Sequence, residues 1–354
     1  MKAAFIGLPQ SGKSTVFTAV TGVPVDPFSA PQVHPAVVRV PDPRLAYLTK
    51  LCQPKKVVEA TFDFVDVPGC ALDEAKGQEE WRRLLPTVRQ AELLVVVVRD
   101  FANPTVPAYR DRVDAKADFE AVWDELIFAD LDSVTTRIHR IEASFKKPTK
   151  TQDADKRDLS LLTRCKEALE AGMPLSSALH GEEERKHLAS FAFLTEKPLV
   201  GVRNVSDDAI GSQASWHAPH VTAMITLSAS IEADIAALEP QDRPEFLADL
   251  GLEAPARDRL IQVCYAAAGL ISFLTMGPDE VRAWTIPKGA TAVEAASKIH
   301  TDLARGFIRA ETVAYDDIVA HADMKGARAA GRVRKEGKTY VVQDGDIMNI
   351  LANP

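Results

Sequence analysis

The chain has 354 residues, 46% hydrophobic and 26% charged, with a formal net charge of −8 and a pI of about 5.6. This balance excludes wholesale disorder and a whole-surface nucleic-acid binder, and the length allows two or three domains around well-buried cores. Cys52, Cys70, Cys165 and Cys264 are scattered without a C-x-x-C, and no apolar stretch reaches the length of a membrane span or signal peptide. Reduced thiols, no zinc site, a cytoplasmic location and no membrane contact are therefore expected.

Ala3 to Ile6 predict a short strand that runs into Gly7-Leu8-Pro9-Gln10-Ser11-Gly12-Lys13-Ser14, a match to G-x-x-x-x-G-K-[ST]. Apolar residues then recur at helical spacing, Val16, Phe17, Ala19 and Val20, until Gly22. Glycines let the loop turn its N–H groups inward, and the helix N-terminus adds its positive dipole end, so the segment can cradle phosphates. Lys13, expected as an exposed loop lysine, would reach the β- and γ-phosphates, and the Ser14 hydroxyl would ligate Mg²⁺.

The segment from Val23 to His34 is rich in proline and polar residues and reads as a switch loop. Ala36 to Val40 and Lys56 to Val67 predict two strands, the second closing on Asp66-Val67-Pro68-Gly69. At this distance from the phosphate loop, Asp66 can hold Mg²⁺ and the Gly69 amide can sense a γ-phosphate. Leu93 to Val98, apolar throughout, predicts a strand buried on both faces.

From Phe119 to Phe145 apolar residues fall at Ile127, Leu131, Val134, Ile138, Ile141 and Phe145, which is heptad spacing. A polar break, Lys146 to Asp158, separates this from a second stripe through Leu159, Leu162, Cys165 and Leu169. The pattern predicts an antiparallel coiled-coil hairpin, with two ordinary core helices as the alternative. Lys197 to Val205 and His220 to Leu227 return to strand character, and a helix restarts at Ile231 to Leu238. Asn204 and Ser228-Ala229, at the carboxyl ends of those strands, are candidates for gripping a nucleotide base. Beyond a helix from Asp258 to Leu270, a small α+β module is expected. It has a strand Val281 to Ile286, a helix Thr291 to Gly306, and a closing hairpin around Lys338 to Ile350. Lys325, Arg328, Arg332, Arg334, Lys335 and Lys338 form a basic cluster in it, either a phosphate-backbone contact or a solvated face.

These residues together resemble the YchF/Obg-like ATPase family. The resemblance is carried by GLPQSGKST, VPDPRLAYLTKLCQPKKVVEATFDFVDVPG, NVSD, LSASIEADIAAL, EVRAWTIPKGATAVEAASKIHTDLARGFIRAETVAYDDIV and GKTYVVQDGDIMNI. It covers nearly the whole chain and is most specific at the C-terminal end. It implies an α/β P-loop NTPase with a Rossmann-like, mostly parallel sheet at 1–125 and 195–270, a helical coiled-coil insertion at 126–194, and a β-grasp, ubiquitin-like TGS domain at 271–354. It also implies a Mg²⁺-dependent NTPase preferring ATP to GTP, with ribosomes or RNA as partner. Carried over by position, Gln10, Ser11, Gly12, Lys13, Ser14 and Thr15 wrap the phosphates. Ser14 and Asp66 bind the metal, Gly69 belongs to the switch, and Asn204, Val205 and Ser228, Ala229 and Ser230 flank the base.

Cys70 occupies the place after D-x-x-G where many GTPases carry a catalytic glutamine and where the family has a hydrophobic residue, so no side chain there can orient the attacking water. The chain departs from the family pattern elsewhere: Ala30 stands where a switch threonine is usual. Gln78 to Arg82 rebuild a glycine-rich loop, and Ala108 replaces a histidine. Two functions fit this sequence: a nucleotide-hydrolysing switch, and a nucleotide-gated adaptor with little hydrolysis. In the base motif Asn204-Val205-Ser206-Asp207, valine replaces the lysine of N-K-x-D. ATP is favoured over GTP, although Asp207 is the residue type that reads guanine.

Overall fold

The computed structural model describes residues 1–26, 32–145, 152–212, 216, 218, 220–239 and 241–353. Ala30 and its neighbour Ser29 lie outside the described residues, as do residues 146–151 of the break after Phe145. The chain divides into two compact units, Met1–Ala36 with Asp63–Leu260, and Val37–Phe62 with Ile261–Pro354. Residues 37–62, assigned above to the nucleotide-binding domain, thus group with the C-terminal part, and the later boundary falls at Ile261 rather than Ile271.

In chain order, β1 (Lys2–Ile6) leads into α1 (Lys13–Thr21), then β2 (His34–Arg39), α2 (Pro43–Cys52), β3 (Lys56–Val58) and β4 (Thr61–Asp66). Next come α3 (Ala75–Arg89), β5 (Leu93–Asp100), α4 (Ala115–Ser144), α5 (Gln152–Glu170), α6 (Leu175–Ala178) and α7 (Gly181–Leu188). β6 (Leu199–Val205), β7 (Ala223–Leu227), α8 (Ala229–Ala237), α9 (Arg243–Asp249) and α10 (Ala256–Ala267) follow. The first sheet has the order β2-β4-β1-β5-β6-β7. β1 runs parallel to β4 and β5, β5 to β6, and β6 to β7, so Ile6, Asp66, Asp100, Val205 and Leu227 all end at one edge. That edge is where loops gather and ligands bind in such sheets. Strand alternation sends Ala4 and Ile6 into one buried cluster with Val65, Leu94 and Trp81, while Phe5 meets Phe17 and Phe64 edge-on at 5.7 and 5.2 Å.

The strand expected over Lys56 to Val67 is two strands. β3 pairs in parallel with residues 280–282, whereas β4 pairs with β1, so the chain changes sheets at Glu59-Ala60. Continuous period-2 alternation conceals such a change, because it reports which face is buried and not which partner is paired.

α4, of 30 residues, serves two cores. Its first half places Ala115, Phe119, Val122 and Leu126 in the sheet cluster, and its second half places Val134, Ile138 and Ile141 with Leu162, Cys165 and Leu169 of α5. Leu175, Leu179 and Leu188 join that second cluster, which is therefore broader than a two-helix seam. Between the halves, fully buried Asp130 accepts hydrogen bonds from Leu194 N, Thr195 N, Thr195 Oγ1 and Arg89 Nη1 at 2.8–3.1 Å, leaving no lone carboxylate charge unpaired.

In the second unit, α2, β3 and the end of α10 are followed by β8 (Leu270–Met276), β9 (Glu280–Pro287), α11 (Ala292–Ile299), α12 (Thr301–Arg305) and β10 (Phe307–Ala314). α13 (Tyr315–His321), α14 (Met324–Ala329), β11 (Arg334–Glu336) and β12 (Asp346–Ala352) complete it. Its sheet runs β11-β10-β12-β8-β9-β3. A capping box between Thr291 and Glu294 starts α11, whose Ala292, Ala295 and Ala296 pack against Phe273, Ile286, Phe307 and Met348. The single helix expected over Thr291 to Gly306 is broken at His300, which is extended (φ −162°) and caps α12 by accepting from Asp302 N at 3.2 Å. The expected closing hairpin is also absent as such, because β11 and β12 each pair with β10.

Candidate functional site

The phosphate loop leaves β1 at Ile6 and re-enters helix at Lys13. Gly12 has φ +78°, and a Cβ there would collide with the Asn204 side chain, so only glycine fits. Gln10 is also left-handed, with φ +60°. No side chain caps α1, which leaves its first-turn N–H groups for a ligand. Ser11 is 3% exposed, and its Oγ has no hydrogen-bond partner among the described residues.

Lys13 is not the exposed loop lysine expected above. It is 5% exposed, and its ammonium is paired with Asp66 Oδ1, while Ser14 Oγ donates to Asp66 Oδ2 at 2.8 Å. Burial pushes the Lys13 pKa down, against the pull of the Asp66 carboxylate and, more weakly, of Cys70. Two hard oxygen donors meeting in this way suit a small divalent cation that keeps several waters, and Ser14 with Asp66 fit Mg²⁺. Gly69 approaches the loop so closely that a Cβ would lie 3.1 Å from both Gly7 O and Pro9 N. The Cys70 thiol is buried, and desolvation with Glu80 nearby raises its pKa to about 11 against the opposing pull of Lys13, so it offers no base.

On the other side of the loop, Asn204 Nδ2 donates to Ser11 O at 3.2 Å and its Oδ1 accepts from Ala229 N at 3.1 Å. The amide thus ties the phosphate loop to the start of α8. Ser228 Oγ donates to the Asp207 carboxylate and accepts from Ile231 N, Asp207 is exposed, and Val205 is 2% exposed. Ser230 lies in the first turn of α8, and Thr15 in that of α1.

Gln78 to Arg82 form part of α3 and not a loop. The run Gln-Glu-Glu-Trp-Arg consists largely of good helix formers, and Trp81, 7% exposed, anchors it in the sheet cluster. Sequence reasoning missed Arg99. At the end of β5, 3% exposed, it donates to the carbonyls of Gln10, Phe101, Val106 and Pro107 at 2.8–3.3 Å, and its guanidinium lies 4.5 Å from the Phe101 ring centroid. The only hint in the sequence was an arginine closing an otherwise apolar strand.

Half of the basic cluster is neutralised within its own unit. Arg328 pairs with Glu311, Arg332 with Asp317, and Arg334 with Glu336 and Asp346. Lys325, Lys335 and Lys338 are exposed and without an ion pair among the described residues.

A sheet whose strands β4, β1, β5, β6 and β7 run parallel, with a G-x-x-x-x-G-K-S loop after β1 facing an aspartate that closes the neighbouring strand and a glycine just beyond it, defines a P-loop nucleotide-binding protein of the GTPase type. Residues 2–125 match the family described as 50S ribosome-binding GTPase, and residues 270–353 match YchF-GTPase_C, described as a protein of unknown function. The chain is 38% identical to the Ribosome-binding ATPase YchF of Bacillus subtilis, over 100% of this chain and 99% of that protein. It is 37% identical to the protein of the same name from Escherichia coli O157:H7, over 99% of each. Among solved structures, the Schizosaccharomyces pombe YchF GTPase superposes with a TM-score of 0.85 at 26% identity, covering 99% of this chain and 97% of that one. The chain belongs to the YchF family. Among the described residues, no helix is long and apolar enough to cross a membrane.

Proposed function

We propose that this protein binds a nucleoside triphosphate with Mg²⁺ at the phosphate loop, hydrolyses it, and acts as a ribosome- or RNA-associated switch, with ATP favoured over GTP. The observation that carries the reading is the convergence of Lys13, Ser14 and Asp66 at the mouth of a loop whose helix end is uncapped. Amides from Gln10 to Thr15 receive the phosphates, Lys13 turns from Asp66 to the β- and γ-phosphates, and the Gly69 amide follows the γ-phosphate. Ser14 and Asp66 would hold Mg²⁺, which would supply neutralisation of the triphosphate charge. α4 with α5 is read as the coiled-coil insertion and the C-terminal part of the second unit as a TGS module of β-grasp form, the parts that report nucleotide state to the partner. The full-length relatives named ribosome-binding ATPases support that partner and that chemistry.

ATP is favoured because Asp207 already accepts the Ser228 hydroxyl and Val205 supplies no lysine over the base. A base site without a dedicated carboxylate–guanine pair discriminates weakly. Single-turnover hydrolysis of ATP and GTP, with and without ribosomes, tests the switch. Turnover of bound ATP, with affinity or rate altered by ribosomes, is expected, and tight binding without turnover sinks the hydrolase. In a competition titration, GTP binding more than roughly a hundredfold tighter than ATP overturns the base assignment.

A further inference from the structure

The segment from Phe101 to Asp111 is a strap with two anchors. Its root is Arg99, which holds the carbonyls of Phe101, Val106 and Pro107 together with that of Gln10 in the phosphate loop. Phe101 also lies against Gly12, its ring 3.7 Å from where a Cβ would stand. An Asn103 turn, accepting from Thr105 N and Oγ1 at 2.9 and 2.7 Å, keeps the middle compact. At the tip, Tyr109 O–H and Arg110 Nε both donate to the Asp73 carboxylate, the second at 3.1 Å. Asp73 stands four residues after Gly69, in the short stretch before α3. The strap therefore joins the two segments that flank a γ-phosphate, the phosphate loop at Gln10 and the switch segment at Asp73.

The tip is held at an energetic cost. Arg110 and Asp111 are consecutive non-glycine residues in the left-handed region, with φ of 58° and 52°. Such backbone persists only where its surroundings over-determine it. Stability is not what the tip supplies, because the Arg110–Asp73 pair is 36% and 42% exposed and screened by water.

We propose that Asp73, Tyr109 and Arg110 form a clamp that positions the chain after Gly69 for hydrolysis, an inference that rests on the hydrolase reading above. The three are positioning residues: the clamp fixes where the Gly69 amide stands relative to the phosphate loop, and thereby the geometry in which water meets the γ-phosphate. With the clamp open, the nucleotide is still held by Lys13, Ser14 and the loop amides, but the switch segment is free to wander.

The test is steady-state and single-turnover hydrolysis by the full-length protein carrying Asp73→Ala, the double substitution Tyr109→Phe with Arg110→Ala, or all three. Nucleotide affinity is read with a fluorescent analogue and the fold by its Tm. Each set is expected to lower kcat about tenfold or more, with KM and Kd within about twofold and Tm unchanged. The triple variant is expected to be no slower than Asp73→Ala alone, because both sides of one clamp have gone. Tyr109→Phe with Arg110→Gly, which relaxes the backbone but removes the donor, should lose activity like the double variant with Arg110→Ala, while Arg110→Lys should retain part of it. The clamp is overturned if kcat is unchanged or rises, if kcat and affinity fall together with Tm, or if the losses multiply. A wild-type protein that binds ATP without turning it over removes the hydrolase reading and the clamp with it. An active wild type with unaffected variants removes the clamp alone.

Discussion

Lys13 and Asp66 form an ion pair sealed from solvent, their side chains 5% and 3% exposed. Removing one partner of such a pair leaves a buried charge uncompensated, typically at a cost of about 3–5 kcal/mol. Lys13→Ala is therefore expected to lose triphosphate binding and also to lower stability by that order. Lys13→Met combined with Asp66→Asn should recover most of the stability and none of the binding. Urea unfolding and calorimetry read the two effects separately. Equal stability of single and double variants would show that the pair is not held in a water-free site.

The thiols give a test of burial that needs no nucleotide. With pKa values of about 11, Cys70 and Cys165 are thiolate in only about one molecule in a thousand at pH 8, and desolvation raises Cys264 further. Half-buried Cys52 is expected to react first with iodoacetamide at pH 8, and Cys70 only after denaturant is added. Peptide mapping of the labelled protein decides it, and early modification of Cys70 would place the switch segment in solvent.

Truncation at Ile271 is expected to damage the protein rather than release a clean nucleotide-binding domain. α2 packs against β9, β3 pairs with β9, and Arg44 bridges Asp42 to Asp344 at 2.8 Å on each side. A chain ending at residue 270 keeps residues 37–62 while losing those partners, so lower Tm and aggregation should follow in a thermal scan with light scattering. A monomeric truncation with unaltered Tm would contradict the grouping of those residues with the C-terminal unit.

The basic cluster separates into structural and free charge. Neutralising Arg334 removes a partner of Asp346, itself 2% exposed, and should lower Tm. Replacing Lys325, Lys335 and Lys338 by glutamine should leave Tm unchanged and flatten the salt dependence of ribosome binding by up to about three in slope. An unchanged slope in sedimentation assays would make those lysines a solvated face.

The phosphate loop, the strand ending at Asp66 and the apolar β5 were legible because each is written locally, in spacing and in residues with one physical use. The buried state of Lys13 was not, since it depends on a carboxylate 53 residues away. Nor was the helical state of Gln78 to Arg82, which family resemblance read as a loop although its own propensities favour helix. Arg99 was invisible for a further reason. Its four carbonyl partners carry no sequence signal, because every residue has a carbonyl. The membership of residues 37–62 in the second unit was hidden by uninterrupted alternation across Glu59-Ala60.

That membership has a consequence during synthesis. The piece made first, residues 37–62, has its partners in a piece that begins at Ile261. At ribosomal speeds of about 5–20 residues per second, the intervening roughly 200 residues take on the order of ten to forty seconds to emerge. For that time β3 is without the other five strands of its sheet and α2 without β9, with Leu45 and Leu48, both buried in the finished protein, in need of shelter. Pulse proteolysis of stalled nascent chains should find this segment cut until the C-terminal strands leave the ribosome. The second unit is equally hard to exchange as a cassette, because no single contiguous stretch of gene encodes it.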